Sequence, residues 1–291
     1  MQITALIILS GLTIGSIYAM MALGYYLVSS ATGVINFAQG EFAMLAAVAG
    51  AVLVALGVWY PLAILGGIAA ALAVSIVSFY GLIVPLRTRG ASLDAMIVAL
   101  LGLTIVLRYG TGLSLGRAER ALPAPFDGEP VIIFGVPVQQ TQITIIFVTL
   151  SLFLLTSAFI RGTWIGRSYR VAALNPIGAQ ICGVNLALVQ LIAFGSGAIV
   201  AGIAGWLYAP LYAATYLIGG DLGLKGFLCL VVGGLSRPYG ALAGGITIGL
   251  IETLSQFYIG SPYSEGAPLL MLIIVLMARP GGLLGDGRRA G

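Results

Sequence analysis

Long apolar runs broken by short polar stretches organise this chain, and the runs have the length needed to cross a membrane. A hydrocarbon core of about 30 Å requires roughly 20 residues at about 1.5 Å each. Six runs meet that need: Leu6 to Val28, Phe42 to Val58, Leu62 to Val84, Ile143 to Ile160, Leu186 to Tyr208 and Ala241 to Ile259. Three more are shorter or interrupted: Leu93 to Tyr109, Gly226 to Leu235 and Pro268 to Ala278. The pattern predicts an all-α polytopic membrane protein with about eight to ten transmembrane segments, nine if every run crosses and fewer if some are re-entrant. The opening MQITALIILSG has no basic flank, and its apolar run continues to Val28, so it reads as an uncleaved first span.

Composition agrees and removes several function classes. Hydrophobic residues are 60% and charged residues 8% of 291 positions, which leaves no material for a soluble domain and implies one transmembrane domain over 1–291. The 42 glycines suit helices that pack backbone to backbone. The net charge of +4 comes from arginines in short loops and does not indicate a nucleic-acid partner. With no His, and with Cys182 and Cys229 isolated, neither a metal cluster nor a disulfide framework is suggested.

Basic residues orient the chain. Arg87 and Arg89, the group Arg161, Arg167 and Arg170, then Arg237, and finally Arg279, Arg288 and Arg289 all fall on one side if there are nine crossings. That side is assigned to the cytoplasm, with the N-terminus outside and the C-terminus inside. Trp59 and Tyr60, the loop 110–140, the Tyr212 to Leu224 loop and the Gly260 to Ala267 turn then lie outside. In this topology the first four and last four spans run in opposite directions about the fifth, as in an inverted repeat. Two Gly-rich patches with one acid each, around Glu41 and Asp221, occupy similar positions ahead of apolar runs.

Three polar features stand out against this background. The segment 161–184 is too polar to cross a bilayer, and it reads either as a cytoplasmic docking element or as an amphipathic helix lying on lipid headgroups. The NFAQGE stretch places Asn36, Gln39 and Glu41 between two apolar runs. Such a break either lines a wet pathway inside protein or is an ordinary turn in which Asn36 caps the next helix and Glu41 complements its dipole. Glu252 lies inside an apolar run with no basic residue or His in that run. It must face protein or water, either as a relay or substrate contact or as a hydrogen-bonded packing residue. The one lysine, Lys225, sits in GGDLGLKGF, which lacks the spacing of a phosphate-cradling P-loop, and no hydrolase triad can form without His.

Several segments together resemble one family. GLTIGSIYAMMALGYYLVSSATGVINFAQGEFAML, GRSYRVAALNPIGAQICGVN, AGIAGWLYAP, LVVGGLSRPYGALAGGITIGLIE and ARPGGLLG occur in the order found in the permease subunits of branched-chain amino acid ABC transporters. They are most similar to the first of that system's two permeases. The resemblance implies half of a translocation pathway in a bacterial inner membrane, with four kinds of surroundings: a second permease subunit, two ATP-binding subunits, a periplasmic substrate-binding protein and membrane lipid. ATP and Mg would be held by the partners, with no cofactor on this chain and no catalysis by it. It also implies that the cytoplasmic segment enters a groove of the ATPase, through Arg170, Ala172, Ala173, Asn175, Pro176 and Gly183. Asn175 can cap and Pro176 can begin a short helix there, Pro176 to Cys182. Asn36, Gln39, Glu41 and Glu252 are the pathway candidates. The chain departs from the family at Gln39, where a His is usual. Leucine, isoleucine and valine are the expected substrates, and relatives that import urea, short amides or aromatic acids share the architecture. A stand-alone secondary transporter or channel driven through Glu252 is the competing reading.

Overall fold

The computed structural model describes residues 2–126, 128–133, 136–260 and 264–285. Asp127 in the predicted external loop, and Arg288 and Arg289 in the last basic group, lie outside the described residues. The helices are α1 (Gln2–Thr32), α2 (Gln39–Ala55), α3 (Tyr60–Ser78), α4 (Val84–Thr88), α5 (Leu93–Ser114), α6 (Gln140–Gly162), α7 (Trp164–Leu174), α8 (Pro176–Ile181), α9 (Leu186–Tyr212), α10 (Ile218–Gly233), α11 (Pro238–Tyr258) and α12 (Gly266–Ala278). A π-helical turn, Phe79–Ile83, joins α3 to α4. Pro85, just beyond it, has no N–H to donate back into the preceding turn, and a widened turn accommodates that loss.

Each of the nine predicted apolar runs has a helix. Among the described residues five stretches are long and apolar enough to cross a membrane: α1, Tyr60–Thr88, α5, α6 and α9. Of the three runs that looked short, Leu93 to Tyr109 belongs to a helix of spanning length, α5, whereas two of the six long runs, those of α2 and α11, do not give such helices by themselves. α2 and α12 have only 17 and 13 residues, while α10 and α11 form a pair bent by 115° at a short break. Gly234, at φ +104°, begins that break, and Pro238 starts α11 where its missing N–H costs nothing.

Two boundaries differ from the sequence expectation. The Tyr212 to Leu224 loop is largely helix, because α10 begins at Ile218 and takes in Asp221, Leu224 and Lys225. The loop predicted at 110–140 is shorter, because α5 continues to Ser114 and an antiparallel pair, β1 (Val131–Ile133) and β2 (Val136–Val138), with Val131 opposite Val138, precedes α6.

The chain forms two compact units built from interleaved stretches. One comprises Met1–Leu23, Pro123–Phe153 and Leu224–Gly291, and the other Gly24–Leu122 and Leu154–Gly223. The inverted repeat about the fifth span stays a sequence-level expectation. In the second unit α2 packs on α3 and α9 at backbone distance: a Cβ on Gly205 would lie 2.1 Å from the Ala43 carbonyl oxygen, and one on Gly67 2.3 Å from that of Ala46. Val28, Val34, Phe79, Ile83, Met96, Leu100 and Phe194 form a buried cluster beside them. In the first unit α1 meets α11 in the same manner, Gly249 leaving only 2.3 Å between its would-be Cβ and the Gly15 Cα. Small residues give such helices the dispersion contacts that lipid-immersed packing relies on.

Candidate functional site

The chain leaves α1 at Thr32, whose hydroxyl donates to the Val28 carbonyl and accepts from the Val34 N–H, and Gly33 turns with φ +72°. The next polar residues turn inward, and Asn36, Gln39 and Glu41 are all fully buried. That burial rules out an ordinary exposed turn. The capping role expected for Asn36 is also corrected: Ala38 occupies the N-cap of α2 with no side-chain bond, and Asn36 Oδ1 accepts instead from the Ala38 N–H at 3.1 Å, a local Asx turn ahead of the helix. Gln39 Nε2 donates to the Gly197 carbonyl of α9 at 2.7 Å. Gly40 lets the start of α2 cross α10, since a Cβ there would sit 2.0 Å from the Gly219 carbonyl oxygen.

Glu41 points the other way, into an ion pair absent from the sequence reading. Arg108, near the end of α5, donates through Nε at 3.0 Å and Nη2 at 2.6 Å to the same oxygen, Oε1. The acid side chain is 1% exposed and the guanidinium 26%. Gly219 and Gly220 at the start of α10 make room for the two groups, because added Cβ atoms would lie 2.4 Å from Glu41 Oε2 and from Arg108 Nη2 respectively. Asn36 Nδ2, Gln39 Oε1 and Glu41 Oε2 have no hydrogen-bond partner among the described residues. A buried charge with half its acceptor capacity unused is costly, and an arrangement of this kind favours a polar visitor such as water or a solute.

Glu252 belongs to the other unit. The absence of a base in its own run did not leave it alone: Lys225 on α10 donates to Glu252 Oε1 at 2.8 Å, with the ammonium 5.4 Å from the Tyr18 ring centroid. Both side chains of the pair are 12% exposed. Asn36, Gln39 and Glu41 therefore share one unit with Arg108, and Glu252 shares the other with Lys225.

The segment 161–184 folds as two helices. Thr163 caps α7 by accepting from the Gly166 N–H at 2.9 Å. Asn175 separates the two helices and caps α8, as the sequence predicts, its Oδ1 accepting from the Gly178 N–H at 2.9 Å, while Pro176 takes the first helical position. The short helix thus begins where expected and ends at Ile181. Gly183, at φ +79°, lets the chain turn toward α9. Ala172 is buried, whereas Arg170, Ala173, Asn175, Pro176 and Gly183 are exposed. Tyr169 fastens α7 to α1: its hydroxyl meets the Ser30 hydroxyl at 2.8 Å and donates to the Leu27 carbonyl. Burial raises the pKa of this phenol, so it stays protonated and able to donate. On the outer side Leu174, Ile177 and Ile181 are 87%, 73% and 82% exposed, an apolar edge on an otherwise polar element.

Arg108, Lys225 and Tyr169 are the residues that reading along the chain did not single out for a site. For the first two the available signal was a base within or beside an apolar run. For Tyr169 there was none beyond its place among arginines.

Comparison with known proteins gives this arrangement its context. The sequence model of the family described as "Branched-chain amino acid transport system / permease component" matches residues 7–276. The high-affinity branched-chain amino acid transport system permease protein LivH of Escherichia coli K12 is 30% identical, over 95% of this chain and 94% of its own. BraD of Pseudomonas aeruginosa, with the same description, is 31% identical over 96% and 94%. A probable branched-chain amino acid transport permease protein of Methanocaldococcus jannaschii is 27% identical over 96% and 92%.

Proposed function

The chain belongs to the permease-component family of branched-chain amino acid transport systems, and from that premise we propose how it works as the transmembrane permease subunit of an ATP-driven importer. It forms half of a pathway for leucine, isoleucine and valine, paired with a second permease subunit. Two separate ATP-binding subunits hold ATP and Mg and perform hydrolysis, and a periplasmic binding protein delivers the solute. The chain is a multi-pass protein of the bacterial inner membrane, with its N-terminus outside and its C-terminus in the cytoplasm.

The build of α7 and α8 supports this reading most. An apolar edge of Leu174, Ile177 and Ile181, set on a short capped helix and tied through Tyr169 to α1, is a suitable lever between a partner's groove and the membrane helices. Arg170, Ala172, Ala173, Asn175, Pro176 and Gly183 shape that lever. Solute passes beside the buried polar groups Asn36, Gln39 and Glu41, whose unpaired atoms can exchange hydrogen bonds with it. Glu252 contributes through its pair with Lys225.

The stand-alone carrier has less support, because the acid it would use for ion coupling is engaged by Lys225. Deleting the partner ATPases is expected to abolish uptake while the chain stays in the membrane. Unchanged uptake in that strain would refute the proposal.

A further inference from the structure

We infer that a groove beneath α7 holds an acyl chain of an anionic phospholipid, with the headgroup met by Arg161 and Arg170. The inference does not depend on the transport reading. The cavity has a volume of about 450 Å³ and lies wholly within the unit Gly24–Leu122 and Leu154–Gly223. Leu27, Leu72, Phe159, Ile192 and Ile199 supply much of its wall, and Tyr169 of α7 also lines it.

Two of the three polar side chains that line it, Ser196 and Tyr169, are satisfied from within the protein, and Thr156 is the third. The Ser196 hydroxyl donates to the Ala193 carbonyl at 3.1 Å, and the Tyr169 hydroxyl is taken by Leu27 and Ser30. Water would find few partners there, so the occupant is apolar. The helices that frame the cavity, α1, α3, α6 and α9, belong to the long apolar stretches. Leu155 of α6, which also lines it, is 65% exposed.

Charge selects the kind of lipid. Arg161 directly follows Ile160, and Arg170 directly follows Tyr169, so both bases rise from backbone next to lining residues. Both are exposed, and neither they nor Arg167 forms an ion pair among the described residues. No acid occurs between Arg161 and Gly220, and the helix caps in that stretch are the neutral Thr163, Asn175 and Asn185 rather than Asp. Two uncompensated arginines next to lining residues of an apolar groove, with Arg167 between them in sequence, match a phosphate-bearing headgroup above a buried chain. Trp164, 76% exposed and within 5.5 Å of the Arg167 guanidinium, suits the same interfacial level.

The test uses the purified full-length chain equilibrated with vesicles of equal phosphatidylglycerol and phosphatidylcholine, with retained lipid counted by native mass spectrometry. Preferential retention of phosphatidylglycerol is expected. Arg161→Gln is expected to weaken that preference about fivefold, and Arg161→Gln with Arg170→Gln further. Gly195→Leu and, independently, Ser196→Leu fill the groove from α9 and are expected to remove the bound lipid. The arginine variants leave the helix packing alone, so misfolding of a filled variant does not shield the proposal. Equal retention of both lipids by the unaltered chain, unchanged selectivity in the double arginine variant, or undiminished binding in a folded filled variant would each overturn it.

Discussion

At the scale of single residues, buried charge decides the most. Glu41 is almost wholly enclosed, and Arg108 supplies the only cation found against it among the described residues. Arg108→Gln leaves that acid uncompensated and is expected to destabilise the protein by about 3 kcal/mol, whereas Arg108→Gln with Glu41→Gln costs markedly less. Thermal unfolding of the four proteins of this double-mutant cycle measures the coupling, and additive costs would mean the pair is not energetically joined. Backbone contacts make a second residue-level expectation. Gly205→Val has nowhere to place a side chain beside Ala43 and is expected to lose at least about 2 kcal/mol, read from the same melts. A neutral result would mean α2 and α9 can separate freely.

At the scale of elements, the helix bearing the exposed edge should be separable from the membrane core. Asn175→Ala removes the α8 cap and is expected to cost about 1 kcal/mol locally, visible as faster amide exchange at 177–181 with the core protection unchanged. Ile177→Asp with Ile181→Asp alters only exposed positions, so the melting temperature is expected to hold while binding to the ATP-binding subunits, measured by co-purification, falls by at least tenfold. Retained co-purification would remove this helix from the docking role.

These elements also mark how far the sequence was legible. The existence of the helices and the α8 start could be read because hydropathy and the Asn-Pro pair are local signals. The start of α10 could not. Gly219, Gly220 and Asp221 read as loop, but the glycines are small because Gly40, Glu41 and Arg108 press on that first turn. The two ion pairs were hidden for a related reason. Their partners lie 67 and 27 residues apart in the chain, and nothing in the spacing of either run reports the other. The polar stretch from Asn36 to Glu41 was visible as a break, while the complete burial of its polar side chains is a property of the packed helices.

At the scale of the whole molecule, family membership and multi-pass architecture make this a transmembrane permease subunit, and the role proposed for the exposed α7–α8 edge has it move solute only when others hydrolyse ATP. Lys225 is the chain's sole lysine, and it serves an ion pair within helices rather than a phosphate site. Uptake of labelled leucine into proteoliposomes tests the central claim most directly, comparing this chain alone, under an imposed proton or sodium gradient, with the chain joined by the second permease, the ATP-binding subunits, the binding protein and ATP. Accumulation is expected only in the complete, ATP-supplied assembly, and gradient-driven accumulation by the chain alone would contradict the account.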